Sequence, residues 1–186
     1  MFRAIFLDRD GVLIENRADY VREWSHVIFF PEALKALSLL SDYKIVIVTN
    51  QSAVGRGLIS LEIAYEINNQ LVKEIKENKG QIDGVYLCPH TPEDHCNCRK
   101  PNPGLLLQAA KELSLDLSQS WMIGDAWSDL LAGKAAGVRG VVLLKTGRGR
   151  EQLSQPQPTG ITDYFVFNDL PDALHAIQQL DSTLPK

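Results

Sequence analysis

Phe2-Arg3-Ala4-Ile5-Phe6-Leu7-Asp8-Arg9-Asp10-Gly11-Val12 is the stretch on which the reading of this chain turns. The apolar run ending at Leu7 has the character of a buried strand. Two carboxylates two residues apart then leave it on a turn that contains glycine. Alternate residues of a strand share a side, so Asp8 and Asp10 face one reaction centre. Gly11 lets the chain turn sharply after them. Two crowded carboxylates are costly unless a cation or a proton lies between them. The pattern suits a magnesium site in which one carboxylate is free to attack phosphorus. Asp-x-Asp-Gly also occurs in surface turns and calcium loops. Glu15 comes too early to close a calcium loop, and the segment before Asp8 reads as a strand rather than a helix.

Working outward, the chain has 186 residues, enough for one domain spanning 1–186 with a sizeable core. It is 45% apolar and 23% charged, with a net charge of -4. No global basic field points to nucleic acid. No apolar run approaches the ~20 residues that cross a bilayer. The N-terminus enters a strand without a signal-peptide pattern, so a cytoplasmic monomer acting on a small phosphorylated metabolite is expected. The three cysteines, Cys88, Cys96 and Cys98, are an odd number packed into eleven positions. That is a poor disulfide framework and a natural metal site.

Strand-like and helix-like segments alternate. Strands are expected at 3–7, 44–48, 84–88, 121–124 and 140–144, with an edge strand at 163–167. Helices are expected at 31–40, from Ser60 through Ile63, Ile67, Leu71 and Ile75, from Asn102-Pro103 to Leu113, at 128–136 and at 171–180. In the 103–113 helix, Leu106, Ala109 and Ala110 are expected inward. Residues 146–162, rich in glycine and proline, read as a mobile loop. The alternation implies an α/β fold: a doubly wound, Rossmann-like parallel sheet with helices on both faces. Ligands bind such sheets beyond the carboxyl ends of the strands. Asp8 and Asp10, Thr49 to Ser52, Cys88 and His90, Asp125 and Asp129, and Lys145 and Thr146 all fall there.

Phosphoryl transfer to an aspartate needs an in-line nucleophile, a proton donor for the leaving oxygen, and positive charge around the equatorial oxygens. Asp8 can attack. Asp10 can protonate the leaving group and later activate water. Thr49 offers a hydroxyl and turn N–H groups, Lys100 a cation, and Asp125 a further carboxylate for magnesium. Singly, each has an ordinary surface or capping explanation; together they follow the order of the strand ends. Cys88-Pro89-His90 with Cys96-Asn97-Cys98 supplies four ligands for one tetrahedral, structural zinc. This zinc-binding loop would pin Arg99 and Lys100 beside the phosphate. His95 adjoins Cys96 and is read as a neighbour of the metal ligands or as solvated, and His26 and His175 as structural or surface residues. Trp121 and Trp127 are read as packing residues.

Over nearly its whole length the chain resembles the phosphatases of the haloacid dehalogenase superfamily. Asp8-Arg9-Asp10-Gly11 is similar to the first motif, Thr49 to the second, Lys100 to the third, and Gly124-Asp125 with Asp129 to the fourth. The resemblance implies Asp8 as nucleophile, Asp10 as acid and base, and magnesium held by Asp8, the Asp10 carbonyl and Asp125. Thr49 and Lys100 would hold the phosphoryl group.

The zinc loop is similar to that of a narrower subgroup, the D-glycero-D-manno-heptose 1,7-bisphosphate 7-phosphatases and histidinol phosphatases. Thr49-Asn50-Gln51-Ser52, Gly55-Arg56-Gly57, Arg99 to Gly104 and Leu144 to Gly147 resemble the heptose enzymes. The short interval between His90 and Cys96 resembles the histidinol phosphatases, and Ala126 stands where heptose enzymes often carry lysine. The spacing leaves no room for an inserted cap domain. Segment 16–24 and the zinc loop would cover the site. Asn50, Gln51, Ser52, Arg56 and Arg99 would bind substrate, with Arg17, Tyr20 and Arg22 as further contacts. A heptose bisphosphate is the preferred substrate and histidinol phosphate the rival. A non-enzymatic alternative is a phospho-acceptor resembling a receiver domain. Receivers place the accepting Asp on a later strand and lack the zinc pattern.

Overall fold

In the computed structural model, which describes residues 1–40 and 42–182, β1 spans Ala4–Leu7 and every residue of it is buried. Its side chains divide between two apolar layers. Ile5 and Leu7 join one cluster, Ala4 and Phe6 the other. This two-sided burial is what a continuous apolar run predicts for a parallel strand covered by helices on both faces. β2 (Lys44–Asn50), β3 (Gly84–Cys88), β4 (Trp121–Gly124), β5 (Gly140–Leu144) and β6 (Phe165–Phe167) complete the sheet. The order is β3-β2-β1-β4-β5-β6 with every pairing parallel.

Among the described residues there are seven α-helices, six between strands and one after the last: α1 (Pro31–Leu37), α2 (Ser52–Gly55), α3 (Leu61–Glu77), α4 (Gly104–Leu113), α5 (Trp127–Ala136), α6 (Gly149–Ser154) and α7 (Leu170–Ser182). α1, α3 and α7 pack on the Ile5–Leu7 face, and α4 and α5 on the opposite face. Ser60 caps α3 by accepting from the N–H of Ile63, and Gly137 ends α5 at φ +79°, as the sequence predicts.

Several expectations need correction. The 31–40 helix stops at Leu37, and the edge strand is three residues long rather than five. Ile63 points outward and Ala64 takes its place in the buried row of α3. A period of four drifts away from 3.6 residues per turn, which moves the first member off the face. In α4 the buried residues are Leu105, Leu106 and Ala109, with Ala110 only partly covered. The loop at 146–162 contains α6, whose first residue, Gly149, is buried against the Leu144 carbonyl, where no Cβ would fit.

The chain builds β1 to β3 outward on one side and then crosses to place β4 on the other. The crevice between the ends of β1 and β4 is therefore the topological switch point, where such sheets hold ligands.

Candidate active site

Asp8 follows β1 directly, and its backbone N–H donates to the carbonyl of Ile123 in β4 at 3.0 Å. Lys100 reaches it from the loop before α4. The Lys100 ammonium, itself buried, lies 2.9 Å from Asp8 Oδ1 and 2.6 Å from Asp129 Oδ1, and donates to the Val48 carbonyl at 2.8 Å. Burial opposes its charge. Asp129 and Asp8 outweigh that and hold the ammonium above the usual lysine range. The second Asp129 oxygen accepts from the N–H of Ala126 at 3.0 Å, so Asp129 is bound at both ends. Gly124 makes the approach possible: a Cβ there would strike the Asp129 carboxylate.

Asp125 follows β4 and is fully buried. It accepts from the Arg148 backbone N–H at 2.8 Å, from the Arg148 guanidinium at 3.1 Å, and from Asn16 Nδ2. Gly11 and Gly147, both at positive φ, pass so close to Asp125 that a Cβ on either would collide with it. Oxygens of Asp8, Asp125 and Asp129 lie within 4.8 Å of one another. Burial, partly offset by Lys100 and reinforced by Asp129, Asp125 and Asp10, pushes Asp8 up to about 7. Three buried carboxylates face the Lys100 ammonium and the Arg148 guanidinium, which leaves one negative charge over, and a divalent cation fits that surplus.

Asp10 and Gln51 form a second tier. Arg9, almost wholly buried, donates to both Asp10 oxygens at 3.1 Å, to Gln51 Oε1 at 3.0 Å and to Asn68 Oδ1 at 2.9 Å. Gln51 Nε2 donates to Thr49 Oγ1 at 2.7 Å and to Asp10 Oδ2 at 3.2 Å. Asn50 makes a reciprocal pair with the Lys100 backbone, both bonds at 3.1 Å.

The cysteine loop lies alongside. Cys88 to Cys98 is 3.1 Å between sulfurs, Cys96 to Cys98 3.4 Å and Cys88 to Cys96 3.6 Å. His90 Nδ1 is 3.5 Å from the Cys88 sulfur and 3.3 Å from that of Cys98. A tetrahedron with ~2.3 Å zinc–sulfur arms has edges of ~3.7 Å, so the four atoms already stand near zinc spacing. Burial pushes the Cys88 thiol well up. Burial also opposes the Cys96 thiolate, but the Arg99 N–H and the neighbouring thiols bring it down to about 7. A bound zinc would deprotonate all three. Arg99 ties the loop to the start of α2, donating to Ser52 Oγ at 2.6 Å, and braces the loop itself by donating to the His90 carbonyl at 3.0 Å.

A cleft of about 680 Å³ opens over these groups. Asp8, Asp10, Asn50, Gln51, Ser52, Arg56, Arg99 and Lys100 line it, as the sequence reading expects, together with Arg17 and Tyr20 from the 16–24 segment. Thr49 is fully buried beneath, with its hydroxyl engaged by Gln51. Arg22 is not part of the lining; its guanidinium donates to the Asp19 carbonyl. His95 and His175 are exposed, while Trp121 and Trp127 are buried. Asn16, which opens the 16–24 segment expected over the site, lines the cleft as well, and the sequence reading missed Arg148, which also lines it. Arg148 lies four residues beyond β5, so the strand-end rule could have found it had 146–162 not been read as a mobile loop.

Comparison with known proteins places the chain. A HAD-hydrolase-like family model matches residues 97–173. The D-glycero-beta-D-manno-heptose-1,7-bisphosphate 7-phosphatase of Pseudomonas aeruginosa is 35% identical, covering 94% of this chain and 97% of the relative. The enzyme of that name from Pasteurella multocida is 37% identical, covering 96% and 100%. Among solved structures, the D,D-heptose 1,7-bisphosphate phosphatase of B. bronchiseptica, complexed with magnesium and phosphate, superposes with a TM-score of 0.88 at 33% identity, covering 96% of this chain and 99% of that one. With matches along nearly the whole chain at this identity, and with the carboxylates and lysine gathered at one cleft beside the cysteine cluster, the chain belongs to the D-glycero-beta-D-manno-heptose-1,7-bisphosphate 7-phosphatase family of haloacid dehalogenase-like hydrolases.

Proposed function

We propose that this protein is a phosphatase that removes one phosphate from a heptose 1,7-bisphosphate, at the 7-position, through an aspartyl-phosphate on Asp8. The observation that carries the reading is the buried Asp8–Lys100–Asp129 group at the floor of a cleft walled by arginines. Asp8, the Asp10 carbonyl and Asp125 would hold magnesium, which supplies positive charge to the phosphoryl oxygens when bound. Lys100 neutralises the same oxygens and fixes the Asp8 carboxylate. Asp8 forms a bond to phosphorus as the ester oxygen departs with the proton of Asp10. Water then bonds to phosphorus, its proton passes to Asp10, and Asp8 is released. Cys88, His90, Cys96 and Cys98 would hold zinc and fix the loop that carries Arg99 and Lys100. Thr49 supports the phosphoryl site from below, and Asn50, Gln51, Ser52, Arg56 and Arg99 face the sugar and its distal phosphate. The chain acts as a single domain over 1–186, as a cytoplasmic monomer. Among the described residues no helix is long and apolar enough to cross a membrane.

The names carried by relatives matched along nearly their whole length support the heptose substrate over histidinol phosphate. The deciding experiment is phosphate release from the heptose 1,7-bisphosphate and from histidinol phosphate, side by side with magnesium. A larger kcat/KM for the bisphosphate is expected. Preference for histidinol phosphate would overturn the substrate and leave the mechanism. A stable phosphoprotein without turnover would favour the phospho-acceptor alternative.

A further inference from the structure

We propose that Arg9 is a positioning residue that holds Asp10 ready to take the proton of water in the second half of the reaction. This rests on the reading above in which Asp10 carries protons.

Arg9 follows Asp8 in the chain and borders the cleft, yet it is 1% exposed and its guanidinium is taken up by partners within the protein. Its guanidinium has one function visible in its bonds. Nε and one terminal nitrogen grip the two Asp10 oxygens, the same nitrogen also meets Gln51, and the other donates to Asn68. A planar fork on a carboxylate sets the plane of that carboxylate as well as its place. Gln51 adds a bond from the other side, to Asp10 Oδ2. Asp10 thus enters the cleft with its orientation fixed by Arg9 and by Gln51.

Asn68 is the second, independent observation. The buried residues of α3 are Ala64, Ile67, Asn68, Leu71 and Ile75, and Asn68 is the polar exception. Its amide nitrogen is buried without a partner. A side chain chosen for packing at this position would be apolar, because an unmet buried donor is costly. The bond that Asn68 does make goes to Arg9. The helix accepts an imperfect polar group at its centre, and what it obtains is an anchor for the guanidinium.

The step served is the hydrolysis of the aspartyl-phosphate. The water oxygen bonds to phosphorus, the bond between phosphorus and the Asp8 oxygen breaks with its electron pair returning to the Asp8 carboxylate, the water proton moves to Asp10, and inorganic phosphate leaves. An Asp10 carboxylate gripped by a guanidinium is held as an acceptor for that proton.

Rapid-quench kinetics with 4-nitrophenyl phosphate test this, because its leaving phenolate needs no proton from Asp10. In Arg9→Met, formation of the phosphoenzyme should stay near the parental rate while its hydrolysis slows about tenfold. A burst of about one nitrophenolate per chain should precede slow turnover, with phosphoenzyme trapped by acid. Asn68→Ala, which removes the anchor and leaves the cleft intact, should show the same pattern at about threefold, and decides the matter if Arg9→Met does not fold. Asp10→Asn is the control for the underlying reading and should also burst. If it bursts while neither the Arg9 nor the Asn68 variant does, the positioning role is overturned and the acid–base reading stands. If both phases slow equally in these two variants, the network is merely structural and the proposal fails. If Asp10→Asn gives no burst, the acid–base reading falls and takes the proposal with it.

Discussion

The carboxylate floor and the cysteine loop lie side by side and are assembled in different ways. Asp8, Asp125 and Asp129 are buried carboxylates whose backbones are set by β1, β4 and the start of α5, elements the core fixes in any case, and Lys100 reaches them from the loop before α4. The sulfur cluster begins at the end of β3, but three of its four members, His90, Cys96 and Cys98, sit on irregular, partly exposed chain. The first region takes its geometry from hydrophobic packing, which supplies about 1.5–3 kcal/mol per buried aliphatic side chain. The second would take it from a metal held by Cys88, His90, Cys96 and Cys98. Damage to the first should therefore erase chemistry and spare the fold. Damage to the second should loosen a loop and reach chemistry indirectly, through Arg99 and Lys100.

The sharpest way to break this contrast is Asp8→Asn. Turnover should fall by several orders of magnitude, with a melting temperature within a few degrees of the parent, since Lys100 retains Asp129. Near-normal phosphate release from the folded variant would remove Asp8 as nucleophile.

Next in size is the pH dependence of magnesium use. Asp8 is pushed up to about 7, so below that pH it holds a proton that a divalent cation must displace. The apparent magnesium affinity should be steady above pH 7 and weaken by up to about tenfold for each unit below it. Titrations of activity against magnesium at several pH values read this directly. An affinity independent of pH between 5 and 8 would show that magnesium displaces no proton from Asp8 and would overturn this prediction.

For the cysteine loop, Cys96→Ser should lower zinc content from about one per chain and cost about 2 kcal/mol, or ~4–8 °C in melting temperature. Hydrogen exchange should rise in 89–103 while β1 and β4 stay protected. Loss of protection across the whole sheet would show that the metal holds the core as well, and the two regions would cease to be separable.

The smallest effect is reserved for Arg56, an exposed cleft residue. Arg56→Ala should raise KM for the bisphosphate about fivefold and leave that of a small monophosphate unchanged. Equal changes on both would argue against a contact with the distal phosphate.

Much of this could be read before the fold was known, for identifiable reasons. β3, β4 and β5 were legible to the residue because each is an apolar run bounded by glycine or by a polar strand end. The cysteine loop was legible because its ligands lie close together in the chain. Asp8 with Asp125 could be paired because both end strands that a parallel sheet must bring together. The short helix α6 was hidden by Gly147, Gly149 and Pro156, punctuation that usually signals a loop. With it went Arg148. The inward turn of Arg9 was also invisible, because an arginine flanked by two aspartates reads as solvated, and its partners Gln51 and Asn68 stand 42 and 59 residues away.

Every cysteine of the molecule belongs to the one loop, and the sulfurs of Cys88 and Cys98 stand 3.1 Å apart. Metal-bound thiolates do not couple to one another; bare ones this near can. Departure of zinc would therefore expose all the thiols of the chain together and make an internal disulfide the competing fate. A thiol reagent becomes a gauge of metal occupancy for the whole protein, and an oxidant arriving after the metal has left would keep it from returning.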